Sequence, residues 1–195
     1  MQELLSLFND FQKTKKVVSV YTDQEDTSHF AAGIVAAVSE EDVLLLAIAP
    51  DGTYDGYQTI PLSDIYMACA DGAYEEDLGK RYAAQEKRHL PFHTEDTNLR
   101  RALLAFALQT GYCVSIELCK SGKWDIQGKV LSLSYEIVCI EVYDEDYSGK
   151  SYIDLSCISA LEADSCDEQA LEEEYAIRQT STQAQDCHSR FAASQ

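Results

Sequence analysis

Apolar positions along the chain switch between two spacings, and each switch marks an element. Leu4, Leu7, Phe8 and Phe11 recur at three- and four-residue intervals, the period of a helix with one buried face. From Val17 the pattern becomes short apolar runs separated by polar turns: VVSVYT (17–22), HFAAGIVAAVS (29–39), VLLLAIA (43–49), YQTIPL (57–62) and IYMACA (65–70). These runs predict five strands, with DQEDTS, SEED and DGTYDG as turns and loops between them. Tyr74, Leu78 and Tyr82 then stand at i, i+4 and i+8, which predicts a second helix.

The second half reads in the same order. CVSIEL (113–118) matches VVSVYT, and DIQGKVLSLS with Gly128 matches FAAGIVAAVS with Gly33. IVCIEV (137–142) matches VLLLAI, and IDLSCI (153–158) matches IPLSDI (60–65). Leu171 and Tyr175 stand where Leu78 and Tyr82 stand in the first half. Leu99, Leu103, Phe106 and Ala107 predict the helix that opens this half, with Thr94 or Asp96 as its N-cap and Gly111 as its stop. A glycine inside a long strand marks a sharp bend or a close approach of a second backbone. The expected organisation is residues 1–93 and 94–177 as two repeats, followed by an aperiodic tail at 178–195.

A helix followed by five bent strands, with a glycine in the middle of strand two, resembles the Sm/LSm family of small barrels, Hfq-like barrels included. The resemblance covers roughly residues 1–72 and 96–164. The tandem layout is also similar to that of some small bacterial proteins. What the resemblance implies is a mainly β fold with flanking helices: two tandem SH3-like or Sm-like five-stranded barrels. It does not imply RNA binding. The family's base-holding turn has an Asp and an Asn where this chain has Ser39 and Val43, and again Ser134 and Val138.

Composition narrows the function classes. Fifteen Lys and Arg stand against 34 Asp and Glu, for a net charge of −19. The acidity is even: residues 1–95 carry seven basic against seventeen acidic side chains, and residues 96–195 carry eight against seventeen. General nucleic-acid binding needs clustered cations, and docking on an anionic membrane needs them too. Lys13, Lys15, Lys16, Lys80, Arg81, Lys87 and Arg88 are the residues from which a local basic patch could be built. The longest apolar run, Val43 to Pro50, is too short to span a bilayer. The first sixteen residues hold no signal-type apolar core. Seven cysteines without a CxxC pair fit reduced thiols and a cytoplasmic protein.

Candidate chemistry is sparse. SGKS (148–151) lacks the upstream glycine of a phosphate-binding loop, has Asp144 there instead, and reads as a polar hairpin loop. Asp51-Gly-Thr-Tyr-Asp55-Gly56 starts like a calcium loop, but its twelfth position is Leu62. His89 and His93 flank Pro91 in HLPFH, which reads as the connection between repeats. His29 has no acid or nucleophile near it in sequence. Cys113, Cys139 and Cys157 fall in strand patterns and are expected in the core, whereas Cys187 lies in the tail.

Tyrosines beside acidic residues make the best candidate contact surface, since Tyr gives large area at low entropy cost. The candidate partner-binding residues are Tyr54, Asp55, Tyr57, Tyr143, Asp144, Glu145, Asp146 and Tyr147. The resulting expectation is a non-enzymatic binding or regulatory module, without cofactor or metal, that engages a protein partner as a monomer or dimer. The alternatives are an Sm-like RNA-binding protein using the basic patch, and an enzyme with a site between the repeats.

Overall fold

The computed structural model describes residues 2–143 and 148–192, with side chains described for 2–143 and 149–180. The elements run α1 (Gln2–Thr14), β1 (Val17–Tyr21), β2 (Ala31–Val38), β3 (Asp42–Ile48), β4 (Tyr54–Pro61), β5 (Met67–Ala70) and α2 (Ala73–Ala84). They continue with α3 (Leu99–Thr110), β6 (Cys113–Leu118), β7 (Ile126–Leu133), β8 (Ile137–Tyr143), β9 (Ser148–Asp154), β10 (Ile158–Ala163) and α4 (Cys166–Ala192). Single 3-10 turns at Leu62–Asp64 and Leu155–Cys157 precede β5 and β10.

All ten strands belong to one antiparallel sheet, in the order β5-β1-β2-β3-β4-β10-β6-β7-β8-β9. This corrects the expectation of two tandem Sm-like barrels. The sheet is open, with β5 and β9 as its edges. The free edge of β4 is met by β10, through Tyr57 opposite Ala163, Gln58 opposite Glu162 and Thr59 opposite Leu161. A strand edge left bare in water is a liability, and here the chain satisfies it by extending the sheet across the midpoint. The recurring sequence patterns therefore do not delimit separate barrels.

The packing behind this seam is shared as well. One apolar cluster joins Ala37, Leu44 and Tyr57 of the first half to Leu103, Val114, Ile140 and Leu161 of the second. Helix α3 lies over it, with Leu99, Ala102, Leu103, Leu104 and Ala107 buried. A smaller cluster gathers Phe8 of α1 with Val18, Val35, Val43, Leu45 and Ile60. Phe8 is fully buried while Leu7 is exposed, as a one-faced helix requires.

Gly33 and Gly128 are where β3 and β8 press closest. A Cβ on Gly33 would lie 2.3 Å from the Leu46 carbonyl oxygen, and one on Gly128 would lie 1.9 Å from that of Glu141. Gly128 also has φ +155°. The strand glycines mark close backbone approach.

Four local expectations change. Tyr54 and Asp55 belong to β4 rather than to a loop, because Ala49 and Thr53 close a tight turn around Gly52. SGKS lies within β9. Asn98 caps α3 by accepting from the Arg101 amide at 2.9 Å, while Asp96 accepts from the Asn98 amide one step earlier. Finally, α4 continues to Ala192; the segment 166–192 has no Pro or Gly to end it.

Candidate functional site

An acidic groove of about 810 Å³ crosses the β4–β10 seam. Side chains alternate across a strand, so Tyr57 enters the core beneath α3 while Gln58 and Glu162 share the opposite face. Ala31 and Ala32 of β2, Ala47 of β3 and Ala160 of β10 line the groove beside them. These short side chains leave the room that larger residues would fill.

Six carboxylates line the groove: Asp23, Asp55, Asp64, Glu117, Glu162 and Asp167. No lysine or arginine is among its lining residues. Each described contact fixes a carboxylate in place. Glu162 accepts from Gln58 Nε2 at 2.7 Å. Asp55 accepts from the Cys166 amide at 3.1 Å and from its Sγ at 2.8 Å. Glu117 accepts from the Gly122 amide at 2.8 Å and from Ser159 Oγ at 2.6 Å. Asp64 meets Lys120 Nζ at 2.7 Å from outside the groove.

Glu162 is the chemically unusual member. Burial, reinforced by Glu168, Asp55 and Asp167, pushes its carboxyl up to about 8. It therefore carries a proton for much of the time at neutral pH. Cys166 has the opposite character to an activated nucleophile: its bond to Asp55 and its desolvation push the thiol up to about 11. Cys113 is pushed up to about 12 by burial.

Two serine–glutamate pairs tie helices to the sheet. Ser19 Oγ donates to Glu75 Oε1 at 2.6 Å, tying α2 to β1. Ser115 donates to Glu168, tying α4 to β6. Glu168 also accepts from the Ser165 amide at 2.7 Å; Ser165 and Glu168 form half of a capping box at the start of α4.

Behind the seam, the connection between halves is locked by His89. Its Nε2 bonds the Gly56 carbonyl at 2.7 Å, so Nε2 carries the proton. Nδ1 then accepts from Tyr82 Oη at 2.6 Å, and that same oxygen accepts from the His89 amide at 3.2 Å. Burial lowers His89 to about 4, so the neutral ring is the form present at pH 7. Tyr57 Oη donates to the Leu90 carbonyl at 3.1 Å.

The residues singled out in the sequence separate. Tyr54 and Tyr57 are buried, at 6% and 0% exposure, and Tyr143 at 4%. Tyr54 Oη donates to Asp164 Oδ2 at 2.5 Å. Tyr143 stacks on Tyr175 of α4 with ring centroids 3.8 Å apart. These three side chains serve packing. Asp55 is the one that reaches the groove. Asp144, Glu145, Asp146 and Tyr147 lie outside the described residues. Among the cysteines, Cys113 and Cys139 are buried, but Cys157 is exposed at the 3-10 turn.

The basic residues do not merge into one free surface. Lys13 pairs with Asp10, Lys16 with Asp71 and Arg81 with Asp77. Lys15, Lys16 and Arg88 line a separate cleft of about 540 Å³, but Asp71, Glu75 and Glu76 line it too. Among the described residues, no group of three or more His, Cys, Asp or Glu is arranged to hold a metal ion. Nor is any helix there long and apolar enough to cross a membrane.

Sequence reasoning passed over Glu117 and Glu162, which supply the groove's character. The available signal was a single charged residue flanked by apolar ones within an apolar strand, as in Leu161-Glu162-Ala163. No family model, no curated protein and no solved structure matches this chain.

Proposed function

We propose that the protein is a non-enzymatic binding module whose acidic groove receives a lysine- or arginine-rich segment of a partner protein. The observation that carries this reading is the lining: six carboxylates, no lysine or arginine, and a floor of alanines. A basic side chain suits both parts, because its methylene stem lies on apolar surface while its charged head meets carboxylates. The volume is in the range that encloses a few side chains rather than a whole domain.

Glu162 gives the reading a chemical signature. With its carboxyl at about 8, an incoming cation favours the ionised form and displaces the proton. Binding then strengthens as pH rises from 6 through 8. The protonated thiols of Cys113 and Cys166 favour binding over nucleophilic chemistry.

The test is a titration of a fluorescent Lys/Arg-rich peptide at pH 6.0 and 8.5 in low salt, with an Asp/Glu-rich peptide as control. The reading expects binding of the basic peptide alone, tighter at the higher pH and weakened by added salt. Equal affinity for both peptides, or none for either, contradicts it.

A further inference from the structure

Cys119 and Cys157 meet where β6 ends and β10 begins. The pairing of these strands places Ile158 opposite Leu118, and Cys157 and Cys119 are the residues just beyond that pair. The Cys119 amide donates to the Cys157 carbonyl at 2.8 Å. That backbone bond holds the two residues side by side just past the ends of β6 and β10, close enough for a disulfide to be built between them. Cys157 is also the strongest electrostatic neighbour of the Cys119 thiol and raises it. Both residues are exposed and both are free thiols.

Surroundings argue against a packing role. Cys119 stands at φ +53°, in the left-handed region, at the start of a turn that runs through Lys120 at φ +57° and Gly122 at φ +76°. A tight turn of this kind favours glycine or asparagine, yet cysteine occupies it. Buried cysteines such as Cys113 are sealed in the core; this pair faces water, where soluble oxidants reach it.

We propose that Cys119 and Cys157 are a reversible dithiol–disulfide site, oxidised by a low-molecular-weight disulfide. One thiolate attacks a sulfur of the small disulfide, forming a mixed disulfide and releasing one small thiol. The second cysteine, as its thiolate, then attacks the protein-bound sulfur of that mixed disulfide. The Cys119–Cys157 bond forms and a second small thiol leaves. The protein loses two electrons and two protons, and the small disulfide gains both.

The bond would staple the β6–β10 end of the sheet beside Glu117 and Ser159, which line the groove. It would also fix the turn whose Lys120 reaches Asp64. The site stands independently of what the groove binds.

The test equilibrates the full-length protein in glutathione buffers of graded redox potential. Free thiols are then trapped and the peptides mapped by mass. The expected result is a Cys119–Cys157 crosslinked peptide that appears as the buffer becomes oxidising and disappears on reduction. C119S and C157S, both at exposed positions, should each retain the wild-type circular dichroism spectrum. Each should stop at a glutathione adduct on the remaining cysteine, with no internal crosslink. Wild-type protein that carries separate glutathione adducts on both residues, or crosslinks only between chains, would overturn the proposal.

Discussion

Arg100 Nη2 lies 2.7 Å from Asp42 Oδ1, joining the first turn of α3 to the first residue of β3. The pair spans the midpoint of the chain, and Arg100 also donates to the Ile158 carbonyl of β10. Asp42 is almost fully buried, at 3% side-chain exposure, against 18% for Arg100. Desolvation raises the Asp42 carboxyl despite the guanidinium beside it. Breaking one side of such a pair leaves the other charge buried alone, at a typical cost of about 3–5 kcal/mol. Arg100→Met should therefore destabilise the protein by about 3 kcal/mol, measured by urea unfolding at pH 7. Asp42→Asn in the same background should recover part of that loss, because it removes the stranded charge. Additive losses in the double variant would show that the two residues act separately.

Glu162 should make the folded protein less stable as pH rises. Its ordinary value is 4.5 and its folded value about 8, so between these limits the native state holds a proton that the unfolded chain has released. Stability from this group is complete below pH 4.5 and is lost as pH climbs through 8. Glu162→Gln keeps a neutral acceptor for Gln58 and cannot ionise. Discounted for the side chain's partial exposure, the variant should be more stable than wild type by about 2 kcal/mol at pH 8.5 and no different at pH 4.5. Chemical denaturation at the two pH values checks this, and an identical difference at both would contradict it.

His89 acts with the opposite sign. Its folded value of about 4 lies below the ordinary 6.5, so the unfolded chain takes up a proton first as pH falls. The stability it contributes is complete above pH 6.5 and is lost on acidification through 4, by about 3 kcal/mol in all. His89→Gln should flatten that acid limb while lowering stability at pH 7 by about 2 kcal/mol, since the Gly56 and Tyr82 partners lose their geometry. A wild-type acid limb that persists in the variant would place its origin in other groups.

Gly33→Ala and Gly128→Ala should each cost more than the ordinary glycine-to-alanine change. The added Cβ meets a neighbouring backbone carbonyl in both, and a strand backbone cannot shift without breaking its ladder. A loss of about 3 kcal/mol or more is expected for Gly128→Ala, where positive φ adds strain. Gly111→Ala, with φ +76° but open space around it, should cost only about 1 kcal/mol. Thermal melts of the three variants rank them.

The elements of this chain were legible because each is local. Apolar spacing located the first-half strands, β6 to β8 and the helix starts, and Gly33 and Gly128 marked a bend or a close approach within their strands. But β10 was not singled out, SGKS read as a loop rather than as the start of β9, and α4 was expected to end at 177. The global arrangement was not legible. Whether β4 turns back on its own half or meets β10 depends on pairs such as Gln58 with Glu162 and Tyr57 with Ala163, about a hundred residues apart, and no local pattern encodes them. The same distance hid the site. Tyr54 and Tyr57 read as exposed beside Asp55, yet the core that α3 builds behind the seam takes them in. Glu162 read as one charge among 34, and only the seam places it beside Asp55 and Glu117.

The groove's role is tested most directly by one binding isotherm compared across two variants that each replace three carboxylates by amides. Asp55→Asn/Glu117→Gln/Glu162→Gln neutralises three carboxylates inside the groove. Glu25→Gln/Glu86→Gln/Glu173→Gln neutralises three exposed ones outside it. With a Lys/Arg-rich peptide at pH 8 and low salt, the groove variant should lose about tenfold or more in affinity, about 1.4 kcal/mol, while the outer variant stays near wild type. Equal losses in both would mean that the peptide responds only to overall charge, and the groove would not be its site.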